Sequence, residues 1–294
     1  MSSQPFLAGL AASGEADLVD ARDLAPRLRI VASRGALRSL DARLNEAASQ
    51  GANIFFLGSG DFHHLAFPLL RRFDQRVTVI HFDNHPDWVR FPGSVNCGSW
   101  INKALALSHV EKIITIGPSG DDLAQPELKT ANLEAIRQGR LEVHAWRAAE
   151  TKLWGAAVDA PGVRTEGGRL VWRNLANESW SDFLDDLCAR LPDCGLWLSI
   201  DKDVVGADEA ITNWDQGGMS LDHVVEAIEK LAAHRPILGA DICGDYSPPR
   251  FRDPFRAFLS YTDRPNSRPS PINATAVNDT ANRRLFNAFE KVAA

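Results

Sequence analysis

Cysteine is scarce in this 294-residue chain, with four in all. Cys97, Cys188, Cys194 and Cys243 form no C-x-x-C pair and no tight zinc-finger spacing. A Cys188–Cys194 disulfide is conceivable, but buried thiols in a reducing cytoplasm are the preferred expectation. Long apolar runs are absent as well. No stretch of about eighteen apolar residues exists, which argues against a transmembrane helix. The opening "MSSQPFLAGLAASGEADLVDARDL" has acidic residues and no positively charged start, so it does not read as a signal peptide. There is no excess of positive charge. The 32 basic and 38 acidic residues leave a formal net charge of −6, which argues against nucleic acid or an anionic membrane as the main partner. Internal repeats and low-complexity tracts are missing too.

What is present is a 45% hydrophobic chain with short apolar or β-branched runs at intervals. They are "RLRIVAS", "ANIFFLG", "VTVIHFD", "KIITIG", "LEVHAW", "GLWLSID" and "PILGADIC". Most are continuous rather than alternating, as expected of strands covered on both faces. Helical patterns lie between them, such as "ALRSLDARLNEAASQ", "SWINKALAL" and "SDFLDDLCARL". "SLDHVVEAIEKLAAH" has Ser220 as its predicted N-cap. This alternation predicts one α/β domain over residues 1–294 with a mainly parallel sheet. Two stretches interrupt it. Residues 147–180 are polar and Gly-rich, with a hairpin expected around "EGG". Residues 244–275 are rich in proline and arginine. Either stretch reads as a loop over a site or as a contact in a homo-oligomer. The eight tryptophans read first as core.

Ligands of open parallel sheets bind beyond the carboxyl ends of the strands. Three such ends carry clustered ligand-type residues. "LGSGDFHHLAF" holds Asp61, His63 and His64, "HFDNHPDW" holds Asp83, His85 and Asp87, and "LSIDKDVV" holds Asp201 and Asp203. Alternate residues of a strand share a face, so each group can converge on a point. Carboxylates that close repel unless a cation neutralises them. Four aspartates and two neutral imidazoles formally balance two divalent ions, and an oxygen-rich set without thiolate suits Mn²⁺. Two such metals can hold a hydroxide at neutral pH. Taken alone, D-x-D after a strand is more often a cap or a solvated turn. His81 reads as core or as support for a ligand, and His109, His144, His223 and His234 as ordinary histidines.

These motifs, in this order, resemble those of the ureohydrolases, the family of arginase and agmatinase. "GDFHH" looks like the family's G-G-D-H, Asp83-Asn84-His85-Pro86-Asp87 like its D-A-H-x-D, and Ser199-Ile200-Asp201-Lys202-Asp203 like its S-x-D-x-D. The resemblance implies a three-layer αβα domain around a mainly parallel sheet of about eight strands. It implies one Mn²⁺ on His63, Asp83, Asp87 and Asp201, and a second on His85, Asp83, Asp201 and Asp203. "GADICGDYSPP" stands where relatives carry a glutamate that grips the substrate guanidinium. Gly244 replaces it, so Asp245 is the candidate there, since a carboxylate pairs with a guanidinium through two parallel hydrogen bonds. The plainer reading of Asp245 is the start of the "DYSP" turn.

The departures concern substrate and proton transfer. "SVNCGSWIN", with Asn96 and Cys97, lacks the histidine that relatives carry there. "ITNWDQGG" adds Trp214 and Asp215 to a loop that is Gly-rich in the family. The reading is therefore a cytoplasmic dinuclear-manganese amidinohydrolase converting a guanidino group to an amine and urea. Its substrate would be a small guanidino compound or an arginine-containing peptide. Asp203 is cast as proton relay, Asp245 as guanidinium partner, and Asn96, Trp214 and Asp215 as further substrate contacts. Rival readings are another metal-dependent hydrolase, such as a deacetylase or phosphoesterase, and a metal-stabilised binding protein without activity.

Overall fold

The computed structural model describes residues 4–47, 53–119, 121–248, 250, 251, 253–262 and 271–293. Its strands are β1 (Val31–Ala32), β2 (Ile54–Phe56), β3 (Val77–Phe82), β4 (Val95–Asn96), β5 (Val110–Ile116) and β6 (Leu141–His144). They continue with β7 (Thr151–Lys152), β8 (Val163–Glu166), β9 (Arg169–Trp172), β10 (Gly195–Asp201) and β11 (Ile237–Cys243). Six strands form one sheet in the order β2-β11-β10-β3-β5-β6, every pair parallel. β10 and β3 lie side by side at its centre, so the ends of "LSID" and "HFD" meet.

Both faces of the sheet are covered, which is why its strands read as unbroken apolar runs. Val77, Val79 and Trp197 pack with the helices Arg34–Ala47, Ala66–Leu70, Trp100–Ala104 and Leu133–Arg137. Ile80, Phe82, Leu196, Leu198 and Ile200 face the helices Trp180–Arg190, Leu221–His234 and Pro271–Ala293. Each fully buried side chain of this kind contributes about 1.5–3 kcal/mol. The parity also sorts the polar residues. His81, Ser199 and Asp201 fall on the Val79 and Trp197 face, and Lys202 on the other. Ser220 caps Leu221–His234 as predicted, its hydroxyl accepting from His223 N at 3.2 Å.

The sheet has six strands among the described residues, against about eight expected. The reason lies in two places. Ile30 takes a left-handed conformation, φ 65°, which turns "RLRIVAS" out of the sheet, and β1 pairs antiparallel with β4 instead. The 147–180 stretch builds its own antiparallel sheet, β7-β9-β8. The expected hairpin turns at Gly167 and Gly168, both at positive φ, which suits a right-twisted two-residue turn. This small sheet covers the core, with Trp172 6.0 Å from Trp88, and is no loop over the site.

The 244–275 stretch behaves otherwise. Its helix Pro254–Thr262 is tied to the N-terminal segment by Arg256, which donates to the carbonyls of Arg27, Arg29 and Val31. Its Leu259 packs on the cluster of Ile30, Val31 and Trp214. Residues 263–270 of that stretch lie outside the described residues, as do Ala52 of "ANIFFLG" and the end of "LNEAASQ". The four cysteines are free thiols. Among the described residues, no helix is long and apolar enough to cross a membrane.

Candidate metal centre

Each expected ligand sits just past the carboxyl end of a sheet strand. His63 lies on a 3₁₀ turn, Gly60–Leu65, that follows β2 and is capped by Ser59, whose hydroxyl accepts from Asp61 N at 3.3 Å. Asp83, His85 and Asp87 follow β3. Asp83 Oδ1 accepts from His85 N at 2.6 Å, which curls the segment back on itself. Asp87 is held at φ 46°, a strained backbone for a non-glycine residue of the kind found at functional sites. Asp201 ends β10, and its Oδ1 accepts from Asp203 N at 3.1 Å, capping the next 3₁₀ turn.

These six residues come together. His63 Nδ1 is 2.9 Å from Asp83 Oδ2, 3.5 Å from Asp87 Oδ2 and 3.6 Å from Asp201 Oδ2. His85 Nδ1 is 3.0 Å from Asp203 Oδ2 and 3.3 Å from Asp83 Oδ1. Asp83 therefore belongs to both groups, one oxygen to each. Among the described residues, ligand atoms within 4.8 Å of one another form three groups: His63, His81, Asp83 and Asp87; His63, Asp201 and Cys243; and Asp83, His85 and Asp203.

The electrostatics follow from packing four carboxylates out of water. Burial, and then the charge of Asp83, push Asp87 well above the usual carboxylate range. Burial with Asp201 and Asp83 does the same to Asp203, and burial with Asp83 raises Asp201. Burial also opposes ionisation of Asp83, but contacts with His63, His81 and His85 outweigh it and hold that acid well below its ordinary value. Burial disfavours a charged His63. Contact with Asp83 and the charges of Asp83, Asp201 and Asp87 overcome this and push it up to about 10. His85 is likewise raised, by Asp203 and Asp83 against burial. These shifts are the response of like charges crowded without a counter-ion, and a cation placed among them would relieve it. His63 Nδ1 is buried with no hydrogen bond, and it faces three carboxylate oxygens. An oxygen-rich donor set around two unshared imidazole nitrogens fits a pair of divalent metals.

Several supporting residues escaped the sequence reading. Ser199 Oγ lies 2.9 Å from His63 Nε2 and donates to Asp241 Oδ1 at 2.9 Å, while Trp197 Nε1 donates to Asp241 Oδ2 at 2.6 Å. Trp100 Nε1 donates to Asp87 Oδ2 at 2.7 Å. Cys243 Sγ donates to Asp201 Oδ2 at 3.1 Å. Strand parity was the available signal, since 197, 199 and 201 share one face of β10, and 241 and 243 one face of β11. His81 supports Asp83, its Nε2 3.0 Å from Asp83 Oδ2 and its Nδ1 3.1 Å from Thr115 Oγ1.

The expected substrate residues divide. Trp214 stands edge-on to His85 with ring centroids 6.1 Å apart, and Asp215 follows it, exposed. Asn96 pairs with Val31 in the β1–β4 ladder, and its N donates to Ser99 Oγ at 3.2 Å. Asp245 is 6% exposed. Its Oδ1 accepts from Lys202 Nζ at 2.5 Å and from Asn282 Nδ2 at 3.2 Å. The expectation that it waits for a guanidinium meets a carboxylate already engaged by the chain's own ammonium. Lys202 stands between two ligands, but its parity turns it to the opposite face.

The sequence profile of the arginase family matches residues 4–154, just over half the chain and the part that carries His63, Asp83, His85 and Asp87. The protein belongs to the arginase family. One relative, an uncharacterised protein of Thermotoga maritima, is 28% identical over 198 residues, which cover 67% of this chain and 60% of that one. The chain therefore spans 60% of that relative's length. Among solved structures, the agmatine ureohydrolase of Thermoplasma volcanium aligns with a TM-score of 0.52 at 14% identity, covering 87% of this chain and 67% of that chain. Arginase from Bacillus caldovelox aligns with a TM-score of 0.50 at 14% identity, covering 84% and 73%. At such identities the likeness to this arginase-family member is one of fold.

Proposed function

We propose that the protein is a divalent-metal amidinohydrolase that hydrolyses a guanidino group to an amine and urea, with arginine inside a peptide preferred to free arginine. One observation carries this reading. In an arginase-family chain, His63 Nδ1 faces the carboxylates of Asp83, Asp87 and Asp201, and His85 Nδ1 those of Asp83 and Asp203. Those residues would hold two Mn²⁺ ions, with Asp83 and, by the family resemblance, Asp201 serving both. When bound there, the ions would supply a hydroxide at neutral pH and polarise the guanidinium carbon.

The chain's own groups do the rest. The Ser199 hydroxyl and Asp241 keep the proton of His63 on Nε2, which leaves Nδ1 as the donor. Asp203 Oδ2, beside His85 Nδ1, takes up the proton of the attacking water and returns it to the departing amine. Water thus adds to the guanidinium carbon, the bond from that carbon to the side-chain nitrogen breaks, the second proton of the water passes to the same nitrogen as the carbonyl of urea forms, and the amine leaves protonated. Trp214, beside His85, is an aromatic wall that holds varied neighbours by area, which supports the peptide preference. The free thiols suit a reducing compartment, so the cytoplasm is the proposed setting.

The test is urea release from arginine, agmatine, guanidinobutyrate and arginine-containing peptides with Mn²⁺ added. A converted peptide loses about 42 Da per arginine, the change from arginine to ornithine as a covalent modification. Turnover of free arginine with no mass change in any peptide would reject the peptide preference. No urea from any compound would reject the activity.

A further inference from the structure

A guanidinium brought beside two divalent cations is repelled unless an uncommitted anion receives it, most effectively a carboxylate that can offer two oxygens. The end of β11 offers none. Gly244 has φ 93°, and a Cβ there would lie 2.5 Å from Asp201 Oδ1 and 2.6 Å from Lys202 N. No side chain fits. Asp245, next in sequence, is bonded to Lys202 and Asn282, so a guanidinium there would meet an ammonium. Asp61 is paired with Arg29 Nε at 2.5 Å.

The way into the site points elsewhere. The side chain of His85 is 18% exposed, whereas those of His63, Asp83, Asp87, Asp201 and Asp203 are 5% or less. A substrate therefore arrives past His85. Trp214 stands beside His85, ring centroids 6.1 Å apart. The loop that carries it is pinned to the ligand-bearing segments on both sides. Asn84 Nδ2 donates to Asp215 O at 3.0 Å, Asn84 N to Asp203 Oδ1 at 3.1 Å, and Gly217 N to Asp203 O at 2.6 Å. Asp215 is exposed on this loop. Among the described residues its carboxylate has no hydrogen bond or ion pair.

We infer that Asp215 is the residue that receives the substrate's guanidinium charge at the mouth of the metal centre, in place of Asp245. The assignment rests on the amidinohydrolase reading and names the specificity determinant within it. The experiment measures agmatine binding to the Mn²⁺-loaded full chain by calorimetry, with KM and kcat alongside. Asp215→Asn should weaken binding about tenfold to a hundredfold, the range of a hydrogen bond to a charged group, and should raise KM more than it lowers kcat. Asp215→Glu should restore most of the affinity, because it returns the carboxylate. If wild type binds neither agmatine nor an arginine-containing peptide, the amidinohydrolase reading falls and this assignment with it. If wild type binds agmatine and Asp215→Asn binds it equally well, only the assignment falls.

Discussion

His63 is aimed from behind by Ser199. The Ser199 hydroxyl donates to Asp241 Oδ1, so its oxygen is free to accept from His63 Nε2, 2.9 Å away. A hydroxyl relayed to a buried carboxylate sets the tautomer and orientation of a metal-facing imidazole. Ser199→Ala removes the relay without touching a proposed ligand. Metal affinity should fall about 10- to 100-fold, the usual cost of losing such a partner, with the fold intact by circular dichroism. Unchanged affinity in a metal-competition titration would show that His63 is held by packing alone.

Metal loading should raise stability, because a ligand that binds only the folded chain stabilises it by mass action. At a free metal concentration of about 100 times Kd the gain is about 2.7 kcal/mol, read as a rise in melting temperature that EDTA reverses. Elemental analysis should give about two Mn²⁺ per chain, as expected for a dinuclear site. Asp83→Ala should lose both ions, since Asp83 lies 2.9 Å from His63 and 3.3 Å from His85. A variant that keeps both would place the cradle elsewhere.

That these acids and histidines lie together was legible in the sequence because it needs only strand ends: Asp83, His85 and Asp87 follow β3, Asp201 ends β10 with Asp203 on the turn after it, and His63 sits past the end of β2. What the pattern hid is what lies on the other face or depends on distant chain. Lys202 is passed over in D-x-D because its parity sends it away from the ligands, toward Asn282, which is 80 positions on in sequence. Its pairing with Asp245 joins the ends of two strands, and no local spacing announces it. "RLRIVAS" has strand composition and does form the short strand β1, but after the turn at Ile30 it pairs with Val95 and Asn96 outside the main sheet. The "EGG" hairpin, by contrast, is a local turn and was readable.

His64 makes a pH prediction with a definite sign. It is fully buried, and burial, with smaller effects from His63 and Arg256, lowers its pKa from 6.5 to about 3. The unfolded chain therefore binds a proton that the folded chain refuses between those values. Stability from the neutral ring is complete above pH 6.5 and is lost as pH falls toward 3. His63 is raised to about 10, so its contribution is complete below pH 6.5 and is lost as pH rises from there through 10. The two windows do not overlap. In urea titrations of metal-free protein, wild type should lose about 1.4 kcal/mol per pH unit between pH 6 and 4 more steeply than His64→Leu. Parallel slopes for the two proteins would mean that His64 takes up its proton without resistance.

The Lys202–Asp245 pair should behave as a buried ion pair, costly to break from one side and cheap to replace whole. Both side chains are largely buried, at 1% and 8% exposure, and Asn282 bonds to each of them. Lys202→Met leaves the Asp245 carboxylate in a site with little water, at a cost of about 3–5 kcal/mol. Asp245→Leu strands the ammonium in the same way. Lys202→Met/Asp245→Leu removes both charges and keeps apolar volume, so it should recover most of the loss, with the strain around Asn282 as the remainder. Because Lys202 lies between Asp201 and Asp203, the single variants should also loosen metal binding, and the double variant should restore it. Urea unfolding and metal titration on the four proteins complete the cycle. A Lys202→Met protein as stable as wild type would mean that Asp245 finds another cation or takes up a proton, and the pair would then have no part in holding the two ligand aspartates.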